Sequence, residues 1–357
     1  SSGSTPSNFT DVATVGLLSK LTGGETLRFQ SFSQKNKRQM ARFNRDILRI
    51  LTGTVAFEAV LKVRCSEGLR PVAIHGSGIP KSNSEVNIPV VNEDTAFCAT
   101  FDFTQDLPDI ESTTYIQISF LYTNMNGERA VRVFNIALHL TSQLSSVFRH
   151  SNIDVVTNLL CRKALSKVNN TTSLTVVREE MLKRCIKILH AYRKFCATAS
   201  SSGQLILPEA LKFLPLFALA LRKSDWLRSN KSADAPEIDA DTRAAAILNL
   251  HSCSPALFTA TLYPLFFCLQ DMAEKDGKLR QPDETTSRRH ADKYVVPKPS
   301  YPSSENLSED GLVLMVAGLD IYFWIGRKVS RGNLQKLFGM FDLPTSSSRL
   351  NRIDFHR

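Results

Sequence analysis

Residues 115–140 leave this chain few options for its fold. Apolar and polar side chains alternate along two segments here, as they do in β-strands with one buried face. Asn126-Gly127 separates the two segments, and this pair strongly favours a tight hairpin turn. The sequence therefore predicts an antiparallel β-hairpin that belongs to a larger sheet.

A two-residue turn at Asn126-Gly127 would also fix the register of the hairpin. That register pairs Tyr122 with Val131, Leu121 with Arg132, and Phe120 with Val133. We therefore expect a buried face made of Ile116, Ile118, Phe120, Tyr122, Val131 and Val133. The other, more polar face would carry Gln117, Ser119, Leu121 and Arg132.

The segment from Thr54 to Arg64 alternates as well and predicts another long strand. Its apolar face carries Val55, Phe57, Ala59, Leu61 and Val63, and its other face carries Glu58, Val60, Lys62 and Arg64. Leu121 would be an apolar residue on a polar face beside a cation. Two interpretations remain open for Leu121: an ordinary exposed leucine, or the floor of a peptide pocket.

Residues 143–282 change to the hydrophobic period of helices. Pro215 lies inside the third predicted helix and should kink it or shorten its start. The predicted helices cover 153–168, 174–195, 208–223 and 241–251, and a fifth begins at Pro255. The polar segment 276–310, rich in Pro and Ser, is typical of a linker or loop.

Two smaller regions flank this core of the sequence. The N-terminal side is a strand–helix fragment that ends at Gly53. It consists of an apolar segment at 12–18, an extended segment at 26–32 and an amphipathic helix at 36–52. On the C-terminal side, apolar segments at 312–317 and 321–325 predict a second hairpin, followed by a helix at 333–340.

Composition excludes several classes of function. The net charge of +10 arises from 44 basic and 34 acidic residues, which favours acidic peptides or anionic membranes as partners. No dense basic segment with interleaved aromatic residues occurs, so nucleic acid is not an expected partner. Seven cysteines without a CxxC pair indicate reduced thiols rather than zinc or disulfides. We expect neither a signal peptide nor a membrane span.

No group of residues predicts a catalytic site. His75-Gly76-Ser77-Gly78 is similar to a nucleophile elbow but lacks its GxSxG spacing and its strand–helix context. The seven histidines are scattered and form no HExxH pair. We therefore expect no enzyme and no metal site, and the alternative is a hydrolase that uses Ser77 and His75.

Short motifs lie along the whole chain, among them 9–16, 57–60, 121–123, 204–209 and 322–326. Taken together and in this order, they resemble the cargo-adaptor (Sec-twenty-four) family of the COPII coat. Segments 9–16 and 21–24 resemble the end of its trunk domain, and 57–60 and 63–70 resemble the strand that re-enters its β-sandwich. The hairpin motifs are 121–123, 127–129 and 131–133; the helical-domain motifs are 192–194, 204–209 and 214–215; the gelsolin-like motifs are 307–311 and 322–326. The segment 204–208 favours the C/D-type branch.

The resemblance implies a multidomain α+β fold in four parts. They are the C-terminal end of a vWA-like trunk (1–53), an antiparallel β-sandwich domain (54–142), an all-α helical domain (143–282) and an incomplete gelsolin-like α/β domain (283–357). The zinc finger of the family would lie outside this chain, so no cofactor is expected here.

The resemblance also implies a function without catalysis. Family members form the inner COPII coat with the Sec-twenty-three subunit and package cargo for transport from the endoplasmic reticulum to the Golgi. The implied partners are this subunit, cargo and SNARE sorting-signal peptides, the anionic membrane surface and, indirectly, the small GTPase of the coat. The implied location is cytoplasmic and peripheral, at endoplasmic reticulum exit sites and on vesicles.

One pocket of the family binds acidic sorting signals, and its positions match Lys62, Arg64 and Leu121 here. The predicted register places Arg132 beside Leu121, so we include Arg132 in the candidate site. An apolar contact framed by cations would give an acidic peptide charge-assisted hydrogen bonds. The alternative for these residues is a solvated basic sheet face.

The sequence leaves two other functions open. The chain could be the COPII partner subunit that activates the GTPase, or a gelsolin-like regulator of actin. The Leu121-Tyr122-Thr123 motif and segment 204–208 favour the cargo adaptor over the partner subunit, and a single incomplete gelsolin-like unit disfavours an actin regulator.

Overall fold

A computed structural model of the chain describes residues 9–29, 31–105, 113–168, 172–196, 206–229, 237–279, 294–318 and 320–339. The chain divides into two compact units, Ser1–Phe258 and Thr259–Arg357. The expected multidomain α+β fold is confirmed, with antiparallel sheets and a helical region in the first unit and a small mixed sheet-and-helix fold in the second.

An antiparallel sheet of five strands forms the centre of the first unit. The strands lie in the order β3-β4-β1-β6-β7, and β2 pairs with β5 in a separate two-stranded sheet. Ala59, Leu61, Val86 and Ile88 are buried, with side chains such as Phe120 packed against them. The bounds are β1 Val55–Cys65, β2 Leu69–His75, β3 Ile79–Ser82, β4 Glu85–Asn92, β5 Cys98–Phe103, β6 Thr113–Thr123 and β7 Arg129–His139.

The predicted hairpin exists, but its loop has three residues, Met125-Asn126-Gly127, instead of two. Gly127 has a φ of 83°, a conformation that glycine adopts without strain. The side chain of Asn124 accepts hydrogen bonds from the backbone N–H groups of Asn126 (3.0 Å) and Glu128 (2.9 Å), which stabilises the longer loop. Loops of this length that end in a left-handed glycine are the next most common hairpin type.

The extra loop residue shifts the register by one, so the predicted pairing was wrong. Phe120 pairs with Arg132, Leu121 with Val131, and Tyr122 with Ala130. Because directly opposite residues share a face and neighbours alternate, every β7 side chain moves to the other side of the sheet. Val131 and Val133 therefore lie on the face of Leu121, and Arg132 lies on the face of Phe120 and Tyr122.

Two helices precede the sheet, α1 (Val12–Thr22) and α2 (Lys37–Thr52). The predicted α2 is confirmed: Asn36 caps its start by accepting from the backbone N–H groups of Arg38 and Gln39, and Gly53 follows its last turn. The segment 12–18 belongs to a helix, and the expected strand at 26–32 does not form in the residues described there. The N-terminal fragment is thus helical.

The helical region follows the sheet. Phe148, Leu160, Cys185, Leu211, Leu214 and Ala218 form its buried cluster. Pro215 lies in the first turn of its helix and a short 3-10 turn precedes that helix, so the predicted late start is confirmed. The bounds are α3 Leu144–Arg149, α4 Ile153–Leu165, α5 Leu174–Phe195, α6 Leu214–Lys223, α7 Ala240–Ser252 and α8 Pro255–Leu262.

Asp241, on α7, caps the N-terminus of α1 across 229 residues of sequence. Its carboxylate accepts hydrogen bonds from the backbone N–H groups of Thr10 (2.7 Å) and Val12 (2.9 Å), while the adjacent Asp11 makes no side-chain cap. Gly16 lets α1 approach α7 closely, since a Cβ there would lie 2.2 Å from the side chain of Leu248. Tertiary contacts therefore hold α1 in place.

We expect Asp241→Ala to lower the free energy of unfolding by about 2 kcal/mol, because it removes the carboxylate that accepts from two N–H groups at the start of α1. Urea unfolding followed by circular dichroism measures the change. Glu179→Ala, at an exposed position on α5, is the control and should change stability by less than about 0.5 kcal/mol. Equal stability of both variants would show that the cap contributes nothing.

The second unit contains a three-stranded antiparallel sheet and a helix. The sheet order is β10-β9-β8, with β8 Leu265–Cys268, β9 Leu312–Ala317, β10 Asp320–Ile325 and helix α9 Arg331–Phe338. The predicted second hairpin and helix are confirmed. The segment Leu265–Cys268 falls within the range predicted as helical domain, but it is a strand of this sheet, because Phe266 and Phe267 become buried when it pairs with β9. The tail at 340–357 lies outside the described residues.

Candidate functional site

Three of the four predicted site residues share one face of the five-stranded sheet. Leu121 lies directly opposite Val60, and Arg64 lies opposite Gln117, while Lys62 lies opposite Ser119. These side chains alternate with the buried ones of β1 and β6, so they point away from the core cluster. We call this surface the outer face; it comprises Val60, Lys62, Arg64, Gln117, Ser119, Leu121, Val131 and Val133.

Lys62 already has an acidic partner on the outer face. Its Nζ lies 3.0 Å from the carboxylate of Glu85, which also receives Lys81 at 2.8 Å. Hydrogen bonds from Lys81 and Lys62 hold the pKa of Glu85 below its usual value. The Glu85 side chain is only 14% exposed and contacts two lysines, so the Nζ of Lys62 is already engaged.

Arg64 is the more available cation of the outer face. Its guanidinium makes only long hydrogen bonds, 3.4 Å to Gln117 Oε1 and 3.5 Å to Ser119 Oγ. Among the acidic residues that the structure describes, none forms an ion pair with Arg64. A guanidinium offers two parallel donors to a carboxylate, so Arg64 is placed to bind one in bidentate geometry.

An apolar strip lies beside these cations. Leu121 is flanked by Val60 on β1 and by Val131 on β7, its direct partners in the two ladders. Val131 is 62% and Val133 is 52% exposed, an unusual degree for valines in a sheet. The alternating pattern predicts both valines in the core, and that prediction was wrong. The sequence also allows a three-residue loop at Met125-Asn126-Gly127, and the register of that loop would have placed both valines on the outer face.

Arg132 is not part of the outer face, contrary to our prediction. Its Nε donates a hydrogen bond to the hydroxyl oxygen of Tyr122 at 3.2 Å, on the other side of the sheet. This hydrogen bond raises the pKa of Arg132 above its usual value. The structure thus brings Lys62, Arg64 and Leu121 together and separates Arg132 from them.

The alternative catalytic site at His75 and Ser77 has no accessible nucleophile. Ser77 is 3% exposed, so a substrate could not reach its hydroxyl without unfolding of the surrounding loop. Among the described residues, no three His, Cys, Asp or Glu side chains are grouped in a way that would hold a metal ion. The helices of the described segments include none long and apolar enough to cross a membrane.

Family models match three segments of the chain. The Sec23/Sec24 beta-sandwich domain matches residues 56–141, the Sec23/Sec24 helical domain matches residues 152–259, and a Gelsolin repeat matches residues 293–342. The outer face lies within the first of these segments.

Curated proteins and a solved structure are similar over nearly the whole chain. Protein transport protein SEC24 B of Arabidopsis thaliana is 32% identical over 93% of the chain, and human Protein transport protein Sec24C is 30% identical over 97%. The crystal structure of the human COPII-coat protein Sec24c superimposes with a TM-score of 0.75 at 29% identity, covering 94% of this chain and 41% of that one.

The chain spans less than a third of these curated relatives, 28% of the Arabidopsis protein and 29% of the human one. Human Sec24D and human Sec24A are both 28% identical to it. These values are too similar to separate branches, so the C/D-type assignment stays a prediction.

Proposed function

Since this chain belongs to the Sec24 family, we propose that it is the C-terminal portion of an inner COPII coat subunit that binds sorting signals in cargo tails. In this role it would package cargo and SNARE proteins into vesicles that travel from the endoplasmic reticulum to the Golgi. The observation that carries the proposal is the matched pair of sandwich and helical domains, in family order.

The outer face supports signal binding by its chemistry. Lys62 and Arg64 supply positive charge two residues apart on β1, and Leu121 with Val131 supplies an apolar surface on the neighbouring strands. A peptide with one acidic and one apolar side chain fits both parts. The positive charge and the apolar contact of this face suit the binding of a peptide, as an adaptor requires.

We also propose the partners that such an adaptor requires. A Sec23 subunit would complete the inner coat, and the small GTPase of the coat would act through that subunit. The net charge of +10 favours peripheral contact with an anionic membrane surface from the cytoplasmic side. The similar curated proteins and the similar solved structure are Sec24 proteins, which favours the cargo adaptor over the GTPase-activating subunit and over a gelsolin-like actin regulator.

We expect Arg64→Gln to weaken binding of a fluorescein-labelled acidic cargo-tail peptide by about 10-fold or more, because a charge-assisted hydrogen bond contributes roughly 1.5–3 kcal/mol. Fluorescence anisotropy at low and physiological salt measures the affinity. Lys62→Gln should weaken binding less, since Lys62 is already paired with Glu85.

Arg132→Gln is the matched control, since it removes the same charge from the opposite face of the same sheet. Its affinity should stay within about twofold of the unchanged protein. Equal losses in Arg64→Gln and Arg132→Gln would indicate a general effect of net charge and would refute a site on the outer face. If the unchanged chain binds no peptide, the proposal that this chain alone binds sorting signals on the outer face is refuted.

A further inference from the structure

A second cationic surface lies in the helical region, away from the strands that form the outer face. One face of α5 and the residue Lys167, just after α4, line a cleft of about 230 Å³. The lining consists of Lys167, Glu180, Lys183, Arg184 and Lys187. The four residues from α5 have spacings of three, four and seven, which place them on one side of the helix.

The cleft concentrates positive charge around a single carboxylate. Glu180 forms an ion pair with Lys167, and this hydrogen bond together with the charges of Arg184 and Lys183 holds the pKa of Glu180 below its usual value. Four cations and one carboxylate leave three positive charges in excess. Lys183 and Lys187 are one helical turn apart, a spacing at which like charges destabilise a helix.

An anion in the cleft would relieve this repulsion. Lys183, Arg184 and Lys187 are exposed, so their donors can reach a ligand without any rearrangement of the core. The volume suits one tetrahedral oxyanion and a few further atoms, which is less than a drug-sized ligand requires. Clusters of Arg and Lys around a small concave site are typical of phosphate recognition.

We propose that this cleft binds the phosphorylated side chain of an acidic peptide segment. The phosphate would accept hydrogen bonds from Arg184 and Lys183, while Lys187 and Lys167 would contribute charge. A membrane surface fits less well, because the cleft offers only four cations around the Glu180 carboxylate, which would repel the many neighbouring headgroups of an anionic bilayer. The proposal does not depend on the cargo-signal function of the outer face.

Isothermal titration calorimetry with the whole chain tests this proposal. The probe is a glycine-flanked peptide that contains aspartate followed by phosphoserine, compared with the same peptide carrying serine. We expect binding of the phosphopeptide alone, weakened about 10-fold or more by the double substitution Lys183→Gln and Arg184→Gln. Inorganic phosphate should compete at higher concentration, since it presents the same oxyanion without the peptide.

Arg222→Gln with Lys223→Gln is the matched control, since these exposed neighbours on α6 remove the same two charges from the same unit. This control should bind the phosphopeptide within about twofold of the unchanged chain. The proposal is overturned by equal losses in both double variants, by equal binding of the unphosphorylated peptide, or by no binding at millimolar phosphopeptide. The proposal is also overturned if the unchanged chain binds phosphatidylserine vesicles but no phosphopeptide, and the Lys183→Gln and Arg184→Gln variant loses the vesicle binding. That result would assign the cleft to membrane contact.

The acidic cargo-tail peptide of the outer-face experiment separates the two proposals. The variant with Lys183→Gln and Arg184→Gln should bind that peptide normally, and Arg64→Gln should bind the phosphopeptide normally. Each proposal can therefore fail while the other stands.

Discussion

Arg162→Met is expected to lower the free energy of unfolding by about 3 kcal/mol or more, because it leaves several buried acceptors without a donor. Arg162 is only 3% exposed, and its guanidinium binds four acceptors from three parts of the fold. It donates to Asn158 Oδ1 (2.7 Å) on its own helix, to the carbonyl of His75 (3.1 Å), and to the carbonyls of His251 and Cys253 (2.7 Å each).

The two carbonyls at the end of α7 lack donors from their own helix and therefore depend on Arg162. The carbonyls of His251 and Cys253 lie at the C-terminus of α7, where no further turn supplies N–H groups. The positive charge also complements the partial negative charge of that helix end. His75 is the last residue of β2. Methionine would fill much of the volume but would leave all four oxygens without this donor.

Lys163→Met on the same helix is the control for Arg162→Met. It removes one charge from the next, only partly buried position and should cost less than about 0.5 kcal/mol. Urea unfolding at neutral pH, followed by tryptophan fluorescence and circular dichroism, compares the two variants. Equal stability of Arg162→Met and Lys163→Met would mean that water can replace the guanidinium.

The second large effect is a loss of stability when the pH falls from 6.5 towards 4. Burial, together with the nearby positive charges of Lys20 and Arg162 and the imidazole of His75, lowers the pKa of His251 from 6.5 to about 4. Burial and the charges of Arg162 and Lys163 also lower the pKa of His75. The folded protein therefore holds the imidazole of His251 neutral across this range.

The direction of the pH effect follows from the proton balance of the two states. Between pH 6.5 and pH 4 the unfolded chain binds a proton at His251 and the folded chain does not, so acidification favours unfolding. A shift from 6.5 to about 4 corresponds to about 3 kcal/mol, lost progressively across this window and fully present above it. His75 adds to the loss in the same direction.

Urea unfolding at pH values between about 7 and about 4.5 measures this dependence. His251→Gln keeps the backbone carbonyl that Arg162 binds and should reduce the loss over this range by more than half. His190→Gln, at an exposed position on α5, should leave the loss unchanged. If His251→Gln loses as much stability between about pH 7 and about pH 4.5 as the unchanged chain, the pH dependence arises from His75 or from carboxylates.

The local pattern of the sequence was sufficient for most elements. The alternation in β1 identified Ala59, Leu61 and Val63 as buried but was wrong for Phe57, which is 42% exposed because the strand is irregular between Phe57 and Val60. The helical period identified α4 to α7 to within a few residues, apart from the later start of α6. Leu121 shares the face of the two cations only because β1 pairs with β6 in this register. Lys62 and Arg64 lie on one face because the side-chain period of a strand is two. Such properties depend on neighbours in sequence.

The register of β7 depends on more than this local pattern. Met125-Asn126-Gly127 is compatible with a loop of two or three residues, and the two loops place Arg132 and Val131 on opposite faces of the sheet. The sequence of β7 could not distinguish these two registers, because apolar residues lie on both faces of the strand. Val131 and Val133 are exposed on one face, and Phe134 is about equally exposed on the other. One loop residue therefore changed the composition of the candidate site.

Periodicity and motifs are properties of residues that are close in sequence. The sequence alone therefore predicted the types and order of most elements, the family, and the pair of cations on β1. The hydrogen-bond partners of Arg162 and Asp241, and the ion pair of Lys167 with Glu180 on α5, became known only from the folded protein. The carbonyls that Arg162 binds lie 87 to 91 residues from it in sequence. A buried charge can be satisfied only when such distant groups meet, and no local pattern records where they will do so.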